Sequence, residues 1–106
     1  MSFNWSEWER PYQWTPDAIK WLKSRPQPII DLMLRFPFDA KVVALIDLQV
    51  PPPGQVGIIA SLFENGDVSV VVPGSDFKAI CKTEWLKVIE YRPGATPDDI
   101  KGYLKL

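Results

Sequence analysis

The sequence predicts an α+β domain: a small five-stranded β-barrel with helices before and after it in the chain. Three observations predict this. Residues 57–63 and 68–72 are runs rich in β-branched side chains that flank Asn65-Gly66, the strongest short-range signal for a β-hairpin. Between residues 40 and 91, five short apolar runs follow one another, separated by Pro, Gly, Asn and Asp. Outside that stretch the apolar period becomes that of a helix, and the segments open on helix-start signals.

A chain of 106 residues argues for one domain: an aromatic arm and two helices over residues 1–38, the barrel over 40–91, and a C-terminal helix over 95–106. Apolar residues make up 46% of it, so a core can form without a disulfide or a metal. Five Trp, five Phe and three Tyr supply large burial per side chain. The 11 prolines cluster at the ends of periodic segments and act as punctuation.

The helices are justified in order. Asn4 and Glu7 have the spacing of a capping box, with Phe3 and Trp8 at the staple positions, so a short helix over residues 5–9 is expected. Thr15 is a cap, Pro16 takes the first helical position and Asp17 lies in the first turn, which predicts a helix over 16–24. The same start recurs at Thr96-Pro97-Asp98-Asp99, predicting a helix over 97–104. Pro28 opens a third helix, ended by Pro37. Ile29, Leu32, Met33 and Phe36 share one face, and Asp31 and Arg35 are spaced to pair.

The strands follow the hairpin logic. Residues 41–46 form a continuous apolar run of strand length, and 47–55 a loop with Pro51, Pro52, Pro53 and Gly54. The Asn65-Gly66 pair predicts a type I′ turn with positive φ at both residues. Val68, Val70 and Val72 are expected to share the inward face. Residues 77–82 and 87–91 are the fourth and fifth strands, joined by one helical turn at 83–86.

The run Val43-Ala44-Leu45, Asp47-Leu48, Gly54-Gln55-Val56-Gly57-Ile58-Ile59, Gly66, Val70 and Trp85-Leu86-Lys87-Val88 resembles small SH3-like domains of uncharacterised families. It is similar, more distantly, to KOW-type barrels and to small barrel subunits of photosynthetic membrane complexes. The resemblance covers residues 40–91 and implies an SH3-like five-stranded barrel. Its glycine and hydrophobic positions specify fold rather than function, and they carry over no catalytic residue.

Composition narrows the function classes. With no His and a single Cys, a Cys/His zinc site, an intrachain disulfide and a Ser/His/Asp site are excluded. Asp98-Asp99 is explained by a helix start, and the other carboxylates have no paired spacing, so neither enzyme activity nor a cofactor is expected. A net charge of −1 provides no general electrostatic attraction for nucleic acid. No leader peptide and no membrane span are read in the sequence, and a reducing, cytoplasmic setting is expected. Gly54-Gln55-Val56-Gly57 leads into a strand, not a helix, and so reads as a tight turn rather than a phosphate loop. Cys81 reads as a small buried hydrophobe.

The expected role is a non-catalytic protein-interaction or accessory module, with self-association, as a homodimer, among the expectations. Two alternatives stand beside it: a nucleic-acid-associated KOW-like barrel using Lys78, Lys82, Lys87 and Arg92, and a small-molecule binder using the cleft between helices and barrel. The candidate partner surface is the loop Pro51, Pro52 and Pro53 with Phe77, Trp85 and Tyr91 beside it, or the arm with Trp5 and Trp8. Most of Trp5, Trp8, Trp14 and Trp21 are expected to be buried over the barrel or the third helix, with an uncovered one as the interface anchor.

Overall fold

The computed structural model describes residues 5 to 105. In chain order it contains α1 (Trp5–Glu9), α2 (Pro16–Lys23), α3 (Gln27–Arg35), β1 (Lys41–Ala44), β2 (Gly57–Leu62) and β3 (Asp67–Val71). These are followed by β4 (Lys78–Lys82), a 3-10 turn (Thr83–Trp85), β5 (Leu86–Glu90) and α4 (Pro97–Leu104). The expected cap at Asn4 and staple at Phe3 lie outside the described residues.

The local start signals act as expected. Thr15 Oγ1 accepts from the Ala18 amide at 3.1 Å, and Pro16 opens α2. In α4 the cap is reciprocal: the Asp99 amide donates to Thr96 Oγ1 and the Thr96 amide donates to Asp99 Oδ2. One residue separates the two helix starts, because Ala18 stands where α4 has Asp99. In α3 the Asp31 carboxylate accepts from Gln27 Nε2 at 2.8 Å, and the Arg35 guanidinium lies over the Phe36 ring; the two do not form the expected ion pair.

The strands form one antiparallel sheet of order β4-β3-β2-β1-β5. Its edges, β4 and β5, do not pair with each other, so the sheet is open where the sequence predicts a closed barrel. The face that closure would cover is covered by α3 instead. Leu32 and Phe36 pack with Val42, Ile59, Val68, Val70, Cys81 and Leu86 in the main core. A helix laid on a sheet buries the same apolar surface without joining the edges.

Beyond shifts of one residue at the ends of α2, β4, the 3-10 turn and β5, further details differ from expectation. β1 stops at Ala44, and the exposed Leu45 and Ile46 belong to the following loop, because the β1–β5 ladder ends at Ala44–Leu86. The hairpin turn has positive φ at Gly66 only, not at Asn65. Its Gly66 amide donates to Phe63 O and its Phe63 amide to Asp67 O, the three-residue loop in which glycine follows a type I turn. On β3, Val68 and Val70 are fully buried as expected and Val72 lies beyond the strand, half-buried. Ser69 points to the opposite face yet is also buried, with its hydroxyl lacking a hydrogen-bond partner among the described residues.

A second cluster, Leu22, Ile29, Met33 and Ile100, joins the helices, so α3 serves both cores. The N-terminal arm is held against the segment that leaves β5. The Tyr12 amide donates to Pro93 O at 2.8 Å and Trp14 Nε1 to Gly94 O at 2.6 Å. Arg92 donates from Nη1 to Asp39 Oδ2 at 2.6 Å and from Nε to Arg10 O at 3.3 Å.

Candidate functional site

The arrangement of helices on an open sheet leaves a groove of about 860 Å³ between α2, the start of α3 and β2. Its first wall starts from helix periodicity: Ala18 and Trp21 fall at i and i+3 on α2, beside the stripe that buries Leu22, and Arg25 follows just past the helix end. Tyr12 and Phe38 continue that wall, with ring centroids 5.2 Å apart, and Trp21 meets Phe38 edge-on. The facing wall is Ala60, Ser61 and Leu62 of β2 with Phe63 and Glu64 of the turn. A register shift between Ile59 and Ser61 sets Ala60 out of the ladder with its small side chain exposed, which keeps the groove open.

The groove is apolar with charges beside it. The Arg25 guanidinium lies 4.8 Å from the Trp21 ring centroid, while its Nε donates to Trp21 O and its Nη2 to Ser24 Oγ. Those bonds fix the guanidinium and leave Nη1 without a protein partner among the described residues. Asp39 at the groove is occupied by Arg92. Among the described residues no group of three or more Cys, Asp or Glu side chains is placed to hold a metal ion.

The residues expected to form a partner surface differ in exposure. Pro51 is fully buried, Pro52 half-buried and Pro53 exposed, so the stiff loop turns its first ring inward. Trp8 is only 3% exposed; its Nε1 donates to Asp39 O at 2.6 Å and the Lys41 ammonium sits 4.1 Å from its ring centroid. Trp5 packs edge-on against Trp8 and keeps about a third of its surface in water. Trp85 packs on the main core, and Tyr91 is exposed just past the other end of β5. Phe77 is exposed next to β4.

The basic residues are split as well. Lys78 and Lys82 lie on the β4 edge, Lys87 on the opposite edge, and Arg92 is paired to Asp39. Cys81 is buried, and its thiol donates to Val50 O at 3.5 Å. Burial, with Asp67 as the lesser cause, pushes this thiol above its ordinary pKa, which disfavours the reactive thiolate.

Sequence reasoning named a cleft between helices and barrel but none of the residues that line the groove. The spacing of Ala18 and Trp21 was a usable signal, but the facing wall depends on how α2 lies across β2, a long-range fact. Compared with protein-family models, curated proteins and solved structures, the chain matches none.

Proposed function

We propose that this chain is a non-catalytic interaction module that holds an apolar segment of a partner protein in the groove, on a sheet of SH3-like design. The reading is carried by one observation: an open groove walled by Tyr12, Trp21, Phe38 and Phe63. Rigid aromatic side chains offer large contact area at low ordering cost, which is what binding needs. The SH3-like part is supported by strand order β4-β3-β2-β1-β5, the long first loop and the 3-10 turn before β5.

Substitution Ala60→Trp fills the groove from an exposed position and leaves the buried core alone. Wild type, Ala60→Trp, Trp21→Ala, Pro52→Ser and Trp5→Ser are compared in pull-downs from host extract read by mass spectrometry. Partners lost with Ala60→Trp and Trp21→Ala but kept by the other two support the groove. Partners kept by both groove variants and lost with Pro52→Ser or Trp5→Ser refute it and favour the loop or the arm.

A second reading rests on Arg25. A fixed guanidinium with a free Nη1 beside an aromatic wall suits a small aromatic carboxylate. Native mass spectrometry of freshly purified protein separates the readings: a stoichiometric small-molecule adduct supports this one.

A further inference from the structure

The strand β4 is an edge, and no backbone hydrogen bond from elsewhere reaches its outer side among the described residues. Every second residue of such a strand points its N–H and C=O outward, ready to pair with another extended chain. Lys78, Ile80 and Lys82 share one face, at i, i+2 and i+4, and all three are exposed, Ile80 at 62%. Neither lysine is in an ion pair among the described residues; Lys82 faces Asp67 across the ladder and lies over the Trp85 ring.

These charges select the partner. If two copies paired antiparallel through β4 with Ile80 opposite Ile80, each Lys78 would face a Lys82, and like charges directly opposite are destabilising. A strand with an acid, an apolar residue and an acid at alternate positions places carboxylates opposite both lysines and its apolar side chain opposite Ile80. We infer that the β4 edge is an acceptor for an extended acidic segment of another protein, added antiparallel as a sixth strand.

The inference is independent of the groove and is tested by NMR on the full chain. The probes are capped heptapeptides, Thr-Glu-Thr-Val-Thr-Glu-Thr and its Lys counterpart Thr-Lys-Thr-Val-Thr-Lys-Thr. The acidic peptide is expected to shift amide signals of residues 77–82, to slow their exchange with solvent, and to bind about tenfold more tightly than the basic one. The double variant Lys78→Glu with Lys82→Glu is expected to reverse that preference, and added salt to weaken both. Equal binding of the two peptides, unchanged preference in the double variant, or shifts confined to Trp21 and Phe63 would overturn the inference. So would a concentration-dependent wild-type dimer whose protected amides lie on β4.

Discussion

Ser69 stands opposite Ser61 on β2 and Ile80 on β4 and is buried to 1% exposure, with no hydrogen-bond partner for its hydroxyl among the described residues. A buried hydroxyl that gives up water without gaining a protein bond costs about 1–3 kcal/mol. Ser69→Ala is therefore expected to raise stability by about 1 kcal/mol, after the small loss of packing, measured as a higher urea midpoint at unchanged slope. A lower midpoint would mean that the hydroxyl is satisfied after all. Pro51 and Trp8 show the opposite tendency at the same scale: each is a candidate for partner contact in sequence, and each is used for packing, while Cys81 is the small buried hydrophobe its sequence context suggests.

At the level of elements, short-range signals were the legible ones. Thr-Pro at residues 15–16 and 96–97 marks both helix starts to the residue, because a cap needs only its own first turn. The difference between the two caps is also a local matter. Thr96 accepts from the Asp99 amide within a reciprocal box, whereas the Thr15 side chain makes a single bond. Thr96→Ala is expected to cost about 1–2 kcal/mol and Thr15→Ala about 1 kcal/mol or less, compared by chemical denaturation. Equal losses would show that the Asp99 side of the box contributes nothing.

Elements whose limits depend on a distant partner were less legible. Leu45 and Ile46 prolong an apolar run, and nothing within that run reveals that the β5 ladder ends opposite Ala44. The turn type at Asn65-Gly66 was misjudged for a related reason. Two central residues suit a type I′ turn, but Glu64 joins the loop and leaves glycine as the only residue needing positive φ.

For the whole molecule, the five strands were legible and their closure was not, since α3 supplies by helix packing what a barrel supplies by joining its edges. The groove follows from the same long-range packing. One close approach joins the arm to the segment after β5: Gly94 has φ of 81°, and a Cβ there would stand 2.8 Å from the Tyr12 amide nitrogen. Gly94→Ala therefore meets both backbone strain and main-chain crowding. It is expected to cost about 1–3 kcal/mol and to loosen the arm, seen as a shifted Trp14 fluorescence and faster amide exchange at Tyr12. A variant with wild-type stability and protection would show that the arm is held by its side chains alone.

That clasp also dictates an order of events during synthesis. The arm is made before the segment it binds, so Trp14 waits for a carbonyl 80 residues further along the chain. At about 5–20 residues per second the wait lasts roughly 4–16 s. Trp8 can meet Asp39 and Lys41 well before then, but the Tyr12 amide and the Trp14 indole gain their partners Pro93 and Gly94 only with the last turn before α4.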